Sequence, residues 1–269
     1  MFLKIINLLL RPHLIPGKIV NTIRFTKLKN QYDHKIFEDI QNKKFFDLGF
    51  NREKGIENLN QLKNQNSILD RIMSSEHEVL FSSISLLKKE KISNILEIGT
   101  YDGINSFLLS LLFDKSKITT IDLSAKNPEF IGSYNREKIF ANFISARNNV
   151  IKERNNIFFE EKNSLNLIRS NEKYDLIWID GAHGYPTVCV DIINSLRLIN
   201  NDGLILCDDV FVNKPKSQDK IYRSIATFET LSALKKEKLI NFNLVYKRLD
   251  SLNNCDPKKR KFLAIIKKK

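Results

Sequence analysis

The sequence predicts a doubly wound α/β protein, a mostly parallel seven-stranded sheet preceded by a helical N-terminal extension, and three observations carry that expectation. Seven short β-rich runs follow residue 91, helix-length segments separate most of them, and a glycine-bearing turn joins the first run directly to a helical pattern. Strands separated in this way pair in parallel, because a parallel connection has to cross the face of the sheet.

In chain order the runs are Asn94 to Ile98, Lys117 to Leu123, Ile157 to Glu160, Tyr174 to Asp180, Leu204 to Cys207, Phe242 to Tyr246 and Phe262 to Ile266. The last two are joined by residues 247–261, whose helical pattern is poor, and a hairpin-like antiparallel pair at one edge suits them. Before residue 91, Leu69, Ile72, Met73, Leu80, Ile84 and Leu87 recur at helical spacing. Residues 1–90 are therefore expected as a helical extension and residues 91–269 as the α/β domain.

Composition narrows the class. An apolar fraction of 42% is that of an ordinary globular chain, and 44 Lys and Arg against 31 Asp and Glu favour anionic partners without choosing among them. Cys189, Cys207 and Cys255 are odd in number and widely spaced, which indicates neither a disulfide framework nor a zinc cluster and fits a reducing cytoplasm. The apolar stretch Met1 to Leu10 is too short to span a bilayer, and its basic continuation through Arg11, Lys18 and Arg24 suits either a membrane surface or packing on the domain. The basic run Pro257 to Lys261 leads straight into the last β-rich run and reads as a solvated turn.

The turn after the first strand, Ile95-Leu-Glu-Ile-Gly-Thr-Tyr-Asp-Gly-Ile-Asn-Ser106, carries Gly99 and Gly103, which let backbone approach a ligand closely. Its spacing differs from the Gly-x-Gly-x-x-Gly of dinucleotide sites and argues against a nicotinamide cofactor. Asp122 ends the second strand, where a carboxylate can accept from both hydroxyls of a ribose. Lys162-Asn-Ser-Leu165 brings polar side chains to the end of the third strand, either to read an adenine edge or as a cap by Asn163 or Ser164.

Glu97-Ile-Gly-Thr-Tyr-Asp-Gly103, Asp122, Tyr174-Asp-Leu-Ile-Trp-Ile-Asp-Gly-Ala-His-Gly-Tyr185 and Gly203-Leu-Ile-Leu-Cys-Asp-Asp-Val210 together resemble the motif order of class I S-adenosylmethionine-dependent methyltransferases. Within them the chain is most similar to the metal-dependent small-molecule O-methyltransferase branch. The resemblance implies a Rossmann-like methyltransferase sheet with its last strand antiparallel. It also implies a cofactor-binding set of Glu97, Gly99, Tyr101, Gly103, Asn105, Asp122, Ser164 and Asp180.

A hydroxyl nucleophile needs help in losing its proton. Asp180, Asp208 and Asp209 end the fourth and fifth strands and, as in the resembling enzymes, are the expected ligands of Mg²⁺ or a similar divalent ion. The competing reading makes them caps and backbone acceptors. His183, three residues past Asp180, is the candidate general base, and Ala182 stands where some relatives carry a second acid, which shifts weight to His183 or to the metal. The expected substrate is the hydroxyl of a small molecule or glycan. A nucleic-acid methyltransferase is the rival, but neither an Asn-Pro-Pro-Tyr-like motif nor an appended RNA-binding module is present, and no specific nucleic acid is expected. Metal-independent transfer and non-catalytic cofactor binding also stay open. Residues 1–90 are expected to cover the site mouth or form a dimer surface, and Lys214 to Tyr222 to act as a lid.

Overall fold

The computed structural model describes residues 15–71, 75–132, 140–214 and 224–269. The expectations for Met1 to Leu10, for Ile72 and Met73, and for the lid from residue 215 onward lie outside these residues.

Among the described residues four α-helices precede the sheet: α1 (Ile15–Asn30), α2 (His34–Asp47), α3 (Arg52–Gln65) and α4 (Glu76–Lys88). Side chains at their starts take up N–H groups that a helix leaves unbonded: Asp33 accepts from Lys35 N at 2.9 Å and Asn51 from Lys54 N at 2.9 Å. Then follow β1 (Asn94–Ile98), α5 (Ile104–Leu112), β2 (Lys117–Asp122), α6 (Pro128–Gly132), α7 (Phe140–Lys152) and β3 (Ile157–Glu161). The chain closes with β4 (Tyr174–Ile179), α8 (Thr187–Leu198), β5 (Ile199–Val210), α9 (Ala226–Lys236), β6 (Ile240–Tyr246), α10 (Ser251–Asn254) and β7 (Phe262–Lys268).

The seven strands form one sheet in the order β3-β2-β1-β4-β5-β7-β6. β1 to β5 pair in parallel, and β7 is antiparallel to both of its neighbours, β5 and β6. The seven-stranded, mostly parallel expectation is borne out. β5 differs in extent, starting at Ile199 instead of Leu204, because the polar residues Asn200, Asn201 and Asp202 hide its first half from a hydropathy reading. Asn200 is held there by donating to Asp175 Oδ1 at 2.7 Å.

Both faces of the sheet are covered, so the central strands are apolar on both sides. Ile95, Leu176, Trp178, Leu204 and Leu206 face one core. Leu96, Ile98, Ile177, Ile179, Ile205 and Cys207 face the other. The first core also takes in Phe45, Leu59, Leu80, Phe81 and Ile84 from the helices before the sheet, and Phe81 meets Trp178 edge-on at 5.0 Å. The change of pattern near residue 90 is therefore a change of secondary structure within one packed body.

Two consequences of topology position the site. The chain leaves β1 toward β2 and β4 on opposite sides, so a crevice opens at the carboxyl ends of β1 and β4. Because β7 is antiparallel to both neighbours, β6 runs with β1 to β5, and the end of β6 and the start of β7 reach that same edge.

Candidate active site

The turn from β1 into α5 holds three positive φ angles, Gly99 at 102°, Tyr101 at 49° and Gly103 at 78°. Gly99 has no alternative: a Cβ there would lie 2.5 Å from the Asp180 carbonyl oxygen and 2.7 Å from its carbonyl carbon. The turn is pinned from both flanks, since Gly99 N donates to Ile121 O at 2.9 Å and Asp180 N donates to Ile98 O at 2.8 Å.

Glu97 braces this turn from beneath. It is fully buried, and its carboxylate accepts from Asn105 Nδ2 at 2.7 Å, from Thr120 Oγ1 at 2.7 Å and from the Ser106 hydroxyl. Its role is thus to fix the start of α5, while Asn105 keeps a buried Oδ1 without a protein partner. Burial, the largest influence, pushes the Glu97 carboxyl from 4.5 up to about 7, against the lowering effect of its three donors. Between those two values the unfolded chain has released the proton and the folded chain retains it, so rising pH favours unfolding by ~3 kcal/mol and the loss levels off above pH 7. Glu97→Gln, which resembles the protonated acid, is expected to remove this dependence. Its stability relative to the wild type should improve by about 3 kcal/mol between pH 4.5 and pH 8 in urea unfolding, and a difference that does not change with pH would refute the account.

Asp122, at the end of β2, faces the turn. Its Oδ2 accepts from Tyr101 N at 2.9 Å and its Oδ1 from Leu123 N at 2.8 Å. Tyr101 lies over the same loop, 39% exposed and 5.2 Å from the Phe143 ring. Gly99, Tyr101, Gly103, Asn105 and Asp122 are therefore gathered in one place, as an amino-acid tail and a ribose lying side by side would require. At the end of β3, Asn163 Oδ1 accepts from Leu165 N at 2.9 Å and caps the short helical turn Ser164–Arg169. Ser164 lies beside Asp191, and the contact lowers an acid that burial pushes up to about 6.

The second cluster lies at the ends of β4 and β5. Alternation along the strands puts Asp180 on the face of Trp178 and Asp208 on the face of Leu206, the side roofed by α4. An irregularity between Cys207 and Val210, with Asp209 at φ 53°, turns Asp209 toward the same side. Between the two acids stands the ammonium of Lys247. It donates to the Asp208 carboxylate and to Asp209 Oδ1 at 2.5 Å, while Lys261 donates to the other oxygen of Asp209. His183 is buried, its Nε2 3.5 Å from Asp180 Oδ1 and 4.0 Å from Asp209 Oδ2.

The electrostatics follow from these neighbours. Despite its burial, Asp208 is held well below the usual carboxylate range by Lys247 and the two nearby imidazoles, and Lys247 is correspondingly raised. Asp180 is pushed well above its ordinary value, first by burial and then by the Asp208 charge. Burial also lowers His183, which leaves a neutral imidazole, competent to accept a proton, at neutral pH.

The expectation of a divalent ion on Asp180, Asp208 and Asp209 does not fit this arrangement. Among the described residues no group of three or more His, Cys, Asp or Glu side chains is disposed to hold a metal ion. The physical reason is visible: Asp208 Oδ2 and both carboxylate oxygens of Asp209 are already bonded to two lysines. Lys247, Lys261 and His77 are the site residues the sequence reading missed. His77 stacks 5.4 Å from Trp178 and has a buried Nδ1 without a partner, and burial lowers its imidazole to about 4. The run ending in Lys261 is not simply solvated either. Arg260 lies 4.6 Å over the Phe37 ring and Lys261 pairs with Asp209.

Residues 96–210 match a family model described as a methyltransferase domain. The fold superposes on the SAH-bound methyltransferase PaMTH1 of Podospora anserina with a TM-score of 0.50 at 19% identity, over 80% of this chain and 88% of that one. It also superposes on the O-methyltransferase TomG of Streptomyces achromogenes, which is in complex with SAM and involved in tomaymycin synthesis, with a TM-score of 0.51 at 15% identity, over 84% and 95% of the two chains. A comparison with curated proteins finds no match. The class I methyltransferase resemblance read from the motifs is borne out by the family match and by the fold.

Proposed function

We propose that the methyltransferase domain at residues 96–210 transfers a methyl group from S-adenosylmethionine to a hydroxyl oxygen of a small molecule or glycan, without a bound divalent ion. The observation that carries this reading is the meeting, in one crevice, of the Gly99 to Gly103 turn and Asp122 with the buried His183 and the partly exposed Asp180. Gly99, Tyr101, Gly103 and Asn105 would hold the methionine end and Asp122 the ribose. The sulfonium of the bound cofactor supplies an electrophilic methyl carbon. His183 Nε2 accepts the hydroxyl proton, and the 36% exposed side chain of Asp180 marks the open side of the site.

Other features support the surroundings of this activity. No described helix is long and apolar enough to cross a membrane. Exposed Ile19, Val20 and Ile23 on α1, with Lys27 and Lys29 in its last turn, favour contact with an anionic lipid surface over a specific nucleic-acid site.

Asp122→Ala removes the acceptor for two ribose hydroxyls, each charge-assisted bond being worth about 1.5–3 kcal/mol, so S-adenosylhomocysteine should bind at least ~100-fold more weakly. Calorimetry checks this. Binding of NAD in place of S-adenosylhomocysteine by the wild type would overturn the assignment.

A further inference from the structure

We infer that Lys247 is a tethered cation, its ammonium standing where a divalent ion would sit between Asp208 and Asp209 and excluding that ion from the site. The inference deepens the methyl-transfer reading and rests on it.

Three observations carry it. First, the ammonium is placed as a metal would be, bonded to one carboxylate from each of two consecutive residues at the end of β5, with a side chain only 9% exposed. Second, its backbone is fixed on both sides. Lys247 N donates to Lys261 O at 3.0 Å, and Lys247 O accepts from Glu76 N at 2.9 Å and from Ser75 Oγ at 3.0 Å. A lysine anchored in this way to β7 and to the start of α4 is built into the edge, unlike a flexible surface residue. Third, the charges of Asp208 and Asp209 are answered without an ion, by Lys247 and Lys261.

The chemistry balances without a metal. An oxygen–methyl bond forms and the sulfur–methyl bond breaks, its electron pair remaining on sulfur. The hydroxyl proton passes to His183, and the ammonium is neither consumed nor deprotonated. Lys247 acts as a positioning residue that holds the two acids in place.

The test uses Mn²⁺ alone as probe, read by electron paramagnetic resonance on the full chain. Wild type is expected to leave Mn²⁺ free. Lys247→Met should bind one ion per chain with a dissociation constant on the order of 0.1–1 mM, as for a weak all-oxygen site. Adding Asp209→Asn to that variant should abolish the binding. Stoichiometric Mn²⁺ binding by the wild type would overturn the inference, and so would a Lys247→Met chain that takes up S-adenosylhomocysteine normally yet binds no Mn²⁺. If Lys247→Met does not fold, Lys247→Gln takes its place under the same two criteria. S-adenosylhomocysteine calorimetry on the wild type judges the methyl-transfer reading separately, since its failure leaves the Mn²⁺ result standing.

Discussion

Gly99→Ala is expected to cost at least ~3 kcal/mol of stability and to leave no measurable S-adenosylhomocysteine binding. A φ of 102° lies where side-chain-bearing residues rarely sit, which by itself costs roughly 1–3 kcal/mol. The added carbon would also stand 2.5 Å from Asp180 O and 2.9 Å from Gly181 N, atoms of backbone and not of a side chain that can swing aside. Relief requires β1 and β4 to part at their carboxyl ends, and the bond from Asp180 N to Ile98 O resists that movement. Gly49 offers the control, since its φ of 84° is similar but nothing lies within 4 Å of an added Cβ. Gly49→Ala should therefore lose only the conformational part, about 1 kcal/mol. Thermal unfolding separates the two, at roughly 2–4 °C for each kcal/mol in a chain of this size. Equal losses in the two variants would remove the close-approach argument and, with it, the reason for a glycine in the turn.

The contrast between these two glycines shows what the sequence discloses. Gly99 and Gly103 were legible because they punctuate an apolar run that turns at once into a helical pattern, and Asp122 because it ends the next run. Asp180 and Asp208 were legible as carboxyl-edge residues for the same reason. Lys247 was not, because it is 38 residues away from Asp209 and meets it only through the insertion of β7 between β5 and β6, which brings the end of β6 to the same edge. No local pattern encodes that order. His77 was hidden similarly, since its stacking partner Trp178 is a contact across the packing of α4 on the sheet. Asn163 was legible as a cap, and its bond from Leu165 N makes that local contact.

The same long-range contact carries the second large effect. Lys247→Met should destabilise the protein by about 3–5 kcal/mol at pH 7, because Asp208, 4% exposed, loses the ammonium that compensates its charge. The pH dependence identifies the cause. In the wild type the Asp208 carboxyl is depressed, so its contribution is present above the unfolded value near 4 and is lost as pH falls below it. Lys247 is raised, so its contribution is complete below its unfolded value near 10.4 and fades only in strong alkali. In the variant the sign for Asp208 reverses: a buried carboxylate without its cation takes up a proton more readily than the unfolded chain does, and acid relieves it. The gap between wild type and variant should therefore be widest from pH 7 to 9 and narrow steadily below pH 5. Urea unfolding at fixed intervals of pH measures it, with the slope of the transition checked for constancy. A gap of the same size at pH 4 and pH 8 would mean that Lys247 stabilises the fold through the packing of its stem, and that its charge is incidental to the two acids it joins.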